Sequence, residues 1–279
     1  GIAKRILQVL DERCQIFIFE IGSYGRGGVK ILCDIVKPKI GVIAGINEQH
    51  LALFGSMDNL ISAEGGVELA LSLPENGVLV LNGSNEIIKT AIREKISKLN
   101  IKKVFCSAKE RMDVFAENIK AEKEFISFAA KIKETEVGDF KINMLGAYNT
   151  ESFLLALAVA KELGMNSTEI LQGSENIKQE HGSMVLTRNK NGVYIIDSSY
   201  SANPDGVLAD LEYLKIYEGK KVIVMPCLIE LGGAAKESHQ RIGKKIGEVC
   251  DLAIITSRDW FSEIKCQASN AGLAKENIL

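Results

Sequence analysis

The 279 residues carry 46% hydrophobic and 25% charged side chains at a formal net charge of -2, which excludes intrinsic disorder and supplies enough apolar material for a core. Lys and Arg alternate with Asp and Glu instead of gathering into a basic face, which argues against nucleic acid as a partner. Six cysteines without a C-x-x-C pair and only three histidines suggest neither a thiolate metal site nor a disulfide framework. The longest apolar run, 153–160, is far shorter than the ~20 residues that cross a bilayer, and no signal-peptide layout opens the chain. A soluble cytoplasmic protein is expected.

The length favours two units. The first begins at Gly1 inside a helical pattern and alternates short apolar runs with helical periodicity, the rhythm of a mostly parallel α/β sheet. Strands are expected at 15–19, 40–44, 78–81 and 103–106, with helices at 29–36, 57–73 and 86–99. The shorter, more charged pattern over 113–144 suits an antiparallel edge, and a strongly apolar helix is expected at 149–163, followed by a short one at 167–171. The polar segment 172–182 reads as a linker, which divides the chain into units 1–175 and 183–279. A smaller Rossmann-like α/β unit follows, with strands at 193–196, 221–225 and 252–256 and helices at 204–217 and 235–249.

Glu20 ends the first expected strand and is followed by Gly22, Gly25, Gly27 and Gly28. An acid there lies at the C-terminal edge of the sheet, where open α/β folds bind ligands. The spacing G-x-x-G-x-G-G differs from the dinucleotide fingerprint, so a Rossmann dehydrogenase is disfavoured. A strand-end acid also serves as a cap or ion-pair partner. The run Asn47-Glu48-Gln49-His50 after the second strand places a histidine on the same edge, and Mg²⁺ with nucleotide phosphates is the natural ligand of such a crevice.

Phe19-Glu20-Ile21-Gly22, Asn47-Glu48-Gln49-His50-Leu51, Phe54-Gly55-Ser56 and Leu73-Pro74-Glu75-Asn76-Gly77 resemble the central domain of the Mur ligases. Asp197-Ser198-Ser199-Tyr200-Ser201-Ala202-Asn203-Pro204 and Glu230-Leu231-Gly232 with His239 resemble the C-terminal motifs of the same family, in the same order. The branch most similar is the one that adds D-Ala-D-Ala to a UDP-muramoyl peptide. The resemblance implies a P-loop NTPase-like central fold, ATP and Mg²⁺ as cofactors, a monomer, and a role in bacterial peptidoglycan synthesis, hence in cell shape and division. It also implies magnesium ligands at Glu20 and His50, an adenine contact at Asn149, and a nucleotide-side loop built from Asp197, Tyr200 and Asn203. Asn149 suits a helix N-cap equally, and Asn203-Pro204 a turn and helix start.

The sequence departs from the family in several places. No G-x-x-x-x-G-K-[ST] occurs in the 279 residues, so the phosphate loop and the sugar-binding domain are expected upstream of Gly1, and the final strand beyond Leu279. The isolated chain is accordingly expected to bind ATP weakly and to ligate nothing. Glu64 stands where the family carries a carbamylated lysine; its carboxylate either replaces that group in catalysis or is an ordinary helix-surface acid. Ser198, Pro226-Cys227 and Ser183 also replace family residues. Two other functions fit: a non-catalytic Mur-like nucleotide-binding module, and a relative such as a folylpolyglutamate or cyanophycin synthetase.

Overall fold

The computed structural model describes residues 2–178, 184–200 and 202–279. Helix α1 (Ile2–Val9) is followed by an irregular segment, α2 (Gly28–Val36) and β1 (Ile40–Ile43). Three short helices, α3 (Leu51–Phe54), α4 (Met57–Ser62) and α5 (Val67–Ser72), lead to β2 (Val78–Asn82). A π-helical turn, Ile88–Ile92, runs through α6 (Arg93–Lys95) to β3 (Lys102–Ser107). The meander β4 (Val114–Ala121), β5 (Ile126–Ile132) and β6 (Thr135–Ile142) precedes α7 (Asn149–Glu162) and α8 (Ser167–Ser174).

One sheet of order β1-β2-β3-β4-β5-β6 results, parallel through β4 and antiparallel from β4 to β6. β2 explains the layering. Strand residues alternate between faces, so Leu79 and Leu81 pack with Val29, Ile61 and Ile92, while Val80 packs with Val104, Ile126 and Leu154. A strand buried on both faces reads as a continuous apolar run. On the α7 side, Phe153 closes against Phe128 and Phe140, with ring centroids 5.3 and 4.7 Å away.

Three expectations fail here. Residues 15–19 form no strand: Phe17 and Phe19 stack at 5.5 Å, but among the described residues the segment has no ladder partner and nothing pairs with the outer edge of β1. A short β-branched and aromatic run reports a preference for extended backbone; pairing decides whether a strand forms. The helix expected at 57–73 breaks into α4 and α5 because Gly66 takes φ +82°, a left-handed conformation that ends helices and favours glycine. The helix expected at 86–99 is a π turn continuing into one short α turn.

The linker expected over 172–182 begins inside α8, and 179–182 lie outside the described residues, as do Gly1, Ser183 and Ser201. Beyond it come β7 (Val185–Arg188), β8 (Tyr194–Asp197), α9 (Pro204–Leu214), β9 (Val222–Met225), a 3-10 turn Gly232–Ala234, α10 (Ala235–Val249), β10 (Leu252–Ile255) and α11 (Phe261–Asn270). β9 and β10 pair in parallel, whereas β8 pairs antiparallel with β7, a strand the sequence pattern did not reveal. Ile242, Ile246, Ala253 and Ile264 centre a separate core. α10 reaches it through Ser238, His239, Ile242, Ile246 and Val249, the three-and-four spacing of one helical face.

The two cores meet at a seam. Leu145, Met184, Tyr213 and Tyr217 are buried together. The Tyr213 hydroxyl donates to the carbonyl of Lys123, on the β4–β5 turn, at 2.6 Å. The Lys123 ammonium lies over the rings of Tyr194 and Tyr217.

Candidate active site

The loop after β1 is shaped from beneath by two asparagines that the sequence did not single out. Asn82, the buried last residue of β2, donates to the carbonyl of Ala44 at 2.9 Å and to Glu151 at 2.8 Å. Asn85 donates to the carbonyl of Ile46 at 2.8 Å. Within the loop the Asn47 side chain accepts the N–H of Gln49, a local turn typical of asparagine. The chain then enters α3 through His50 at φ +71°, a conformation rare for a residue with a side chain.

The imidazole of His50 meets Glu64, its Nδ1 lying 2.9 and 3.0 Å from the two carboxylate oxygens. Glu64 occupies the bend between α4 and α5, so the Gly65-Gly66 break turns the acid toward the loop. Glu230 approaches Nε2 from the C-terminal unit, 3.7 Å away. Glu20 is not part of this group: it is exposed on the unpaired segment, and no hydrogen bond or ion pair joins it to His50 or Glu64. Among the described residues no three His, Cys, Asp or Glu side chains form a metal cage.

Glu68 is a buried acid with a different task. It accepts the N–H of Gly27 at 2.7 Å and of Lys30 at 3.1 Å, capping α2 from a distance. Helix N-termini carry unpaired N–H donors and a positive dipole end, so a carboxylate is well suited there.

Asn149 is buried and opens α7, with Tyr148 at the cap position. Its amide donates to the carbonyl of Leu145 at 2.7 Å, so it ties the preceding turn together and is not the N-cap that its residue type suggested. Asp197 ends β8, exposed, and accepts the hydroxyl and N–H of Ser199 at 2.7 and 3.0 Å. Those bonds hold its carboxyl below the usual range. Tyr200 is 82% exposed. Asn203 caps α9 by accepting the N–H of Gly206 at 2.9 Å, and the same oxygen accepts from Asn47 at 3.0 Å. Pro204 follows at the first helical position.

The C-terminal unit thus touches the His50 loop at several points. Besides the Asn47–Asn203 bond, the N–H of Ala52 donates to the carbonyl of Glu230 at 2.9 Å. Arg241 lies between Asp205 at 3.4 Å and Glu48 at 3.9 Å. A surface depression of about 570 Å³ lies among Lys220, Asp251 and Leu273. That is the N-terminal edge of β9 and β10, opposite the edge where α/β folds bind ligands.

This arrangement defines an α/β protein in which strand-end loops of two units meet through polar contacts. The Mur ligase middle domain model matches residues 1–160. The model described as Mur ligase, glutamate ligase domain, matches residues 184–277. The chain belongs to the Mur ligase family.

It is 25% identical over 249 residues to a UDP-N-acetylmuramoyl-tripeptide–D-alanyl-D-alanine ligase of Haemophilus influenzae, covering 89% of this chain and 52% of the relative. It is 31% identical over 189 residues to a UDP-N-acetylmuramate–L-alanine ligase of Caldicellulosiruptor bescii, covering 67% of this chain and 40% of the relative. A crystal structure of MurF ligase from Thermotoga maritima in complex with ADP superposes with a TM-score of 0.71 at 21% identity, covering 90% of this chain and 54% of that one. The chain therefore spans about half the length of the curated relatives it matches. No described helix is long and apolar enough to cross a membrane.

Proposed function

We propose that this chain forms the central and C-terminal parts, 1–175 and 183–279, of a monomeric cytoplasmic ligase that uses ATP and Mg²⁺ to join D-Ala-D-Ala to a UDP-muramoyl peptide. One observation carries this reading beyond family membership: both C-terminal motif segments, through Asn203 and Glu230, clasp the loop that bears His50. A crevice closed by a second unit is how ligand binding and catalytic assembly are coupled in many enzymes. The ADP bound by the Thermotoga maritima relative supports a nucleotide as ligand.

When bound, MgATP would supply the phosphoryl group that converts a carboxylate to an acyl phosphate open to an amine. The residues of this chain contribute position and charge. His50 would hold the cation, oriented by Glu64, whose carboxylate fixes the ring from the Nδ1 side. Glu20 would join it only if the 15–22 segment carries its side chain to the loop. Asn149 would contact adenine from the start of α7. Asp197, kept anionic by Ser199, with Tyr200 and Asn203 would line the nucleotide side of the C-terminal unit.

The test is product analysis with the protein that contains this chain. MgATP, UDP-muramoyl tripeptide and D-Ala-D-Ala should give phosphate and the extended peptide in equal amounts. The Caldicellulosiruptor relative favours a second substrate pair, UDP-muramate and L-alanine. Turnover with that pair alone would move the assignment to the other branch, and turnover with neither would leave a non-catalytic module.

A further inference from the structure

His50 is flanked by carboxylates on both ring nitrogens. A carboxylate only accepts hydrogen bonds, so the neutral ring carries its hydrogen on Nδ1, facing Glu64. Nε2 then directs a lone pair toward the Glu230 carboxylate 3.7 Å away. A positive species at Nε2, a proton or a metal cation, is what these two facing acceptors accommodate. The spacing suits a divalent cation: two adjacent ligands on an octahedral ion with ~2.1 Å bonds stand about 3 Å apart. The Glu230 side chain is 40% exposed and has room to move that far.

The backbone supports the same pairing. Glu230 sits at φ +65° and His50 at φ +71°, conformations that are strained in a residue with a side chain and persist only where surrounding contacts enforce them. The contact is the bond from Ala52 N–H to the Glu230 carbonyl. Gly232, at φ +52°, brings its backbone so close that a Cβ would stand 3.2 Å from the nitrogen of Ala52. Glu230 is thereby presented to His50 by a turn seated directly on α3.

We propose that Glu230 is a cation-side residue supplied by the C-terminal unit. A divalent cation taken up at Nε2 of His50 draws the Glu230 carboxylate inward and tightens the Ala52–Glu230 bond, so cation binding and the seating of the two units are coupled. The proposal rests on the Mg²⁺ reading of His50 given above.

The test uses the 279-residue chain, whose three histidines make the imidazole spectrum assignable, with Mn²⁺ as paramagnetic probe and Mg²⁺ as ligand. Mn²⁺ should broaden His50 while sparing buried His239, which also reports that the C-terminal unit is folded. Mg²⁺ should slow amide exchange at Ala52 about fivefold, the low end of ordinary coupling between sites. Glu230→Gln should abolish the slowing and weaken the broadening, and Glu230→Asp should restore part of both. Broadening of His50 with unchanged Ala52 exchange, or equal slowing in Glu230→Gln, overturns the role of Glu230 and leaves the cation reading standing. No broadening of His50 in the wild type overturns the cation reading and the proposal together.

Discussion

Nε2 of His239 accepts the backbone N–H of Leu228 at 2.9 Å, and its Nδ1–H donates to the carbonyl of Ala235 at 2.6 Å. The ring is fully buried and stacks on Trp260 at 5.5 Å. It therefore holds, from α10, the strand-end segment that two residues later presents Glu230 to the His50 loop. Protonation at Nε2 would remove the acceptor for Leu228, and burial already pushes the imidazole below its ordinary pKa.

The pH dependence follows in sign. With the folded value depressed, the unfolded chain binds more protons just below its pKa of about 6.5. This contribution to stability is complete above that value and is lost as pH falls toward the folded pKa. Thermal unfolding should occur at lower temperature at pH 5 than at pH 7.5, and His239→Gln should shrink the difference. Loss of the ring should cost about 1–3 kcal/mol through the orphaned Leu228 N–H alone. An unchanged pH profile in the variant would remove His239 as its source.

Asn203 combines a cap with a bridge, and the two can be separated. Asn203→Ser keeps a capping oxygen but is too short to reach Asn47, so it should unfold within about 0.5 kcal/mol of wild type while loosening the seam. Asn203→Ala should cost about 1 kcal/mol for the lost cap. A double-mutant cycle with Asn47→Ala, read by urea unfolding, should give a coupling of about 0.5–1.5 kcal/mol for the bridge. A coupling near zero would mean that the bridge adds nothing to the seam.

The six thiols sort by burial. Cys14 and Cys266 are exposed, and Cys33, Cys106, Cys227 and Cys250 are buried. Loss of hydration pushes Cys106 and Cys250 up to about 12, which leaves them protonated and unreactive. Titration with a disulfide reagent at pH 8 should therefore modify two thiols quickly and the other four only after denaturant is added. Rapid reaction of a third would show that one of the buried sites opens.

The sheet was legible where burial on two faces writes itself into composition, as in Leu79-Val80-Leu81, and where one helix carries a long apolar stretch, as in α7. The 57–73 stretch misled because its apolar spacing continues across Gly65-Gly66, while the backbone there turns left-handed. Residues 15–19 carry the short apolar run of a buried strand, but among the described residues no neighbour lies alongside to pair with them. At the site, His50 stood out by its place after the second strand and Glu64 through the family resemblance, and their contact across 14 positions required the fold. Asn82, Asn85 and Glu68 act on backbone groups 38 to 41 positions away or 39. No local pattern announces such bonds, because each is defined only after the sheet has assembled.

Glu68 offers the sharpest test of one of those long-range bonds. Its two oxygens accept the backbone N–H groups of Gly27 and Lys30 and, at 3.5 Å, the Ser62 hydroxyl, and the residue is only 8% exposed. Removing it in Glu68→Ala orphans both N–H groups at the start of α2, and hydrogen bonds to a charged partner contribute about 1.5–3 kcal/mol each. Glu68→Gln keeps one carbonyl oxygen for one donor and turns an NH₂ toward the other, so it repairs at most half of the contact. Urea unfolding should therefore rank wild type above Gln and Gln above Ala, with Ala lower than wild type by about 2–4 kcal/mol once partial rehydration of the opened cap is allowed for. Amide exchange at Gly27 and Lys30 should rise in Ala well beyond the change in global stability. A uniform rise across both cores would instead assign Glu68 to general packing, and equal stability of Gln and wild type would show that the second acceptor is not needed.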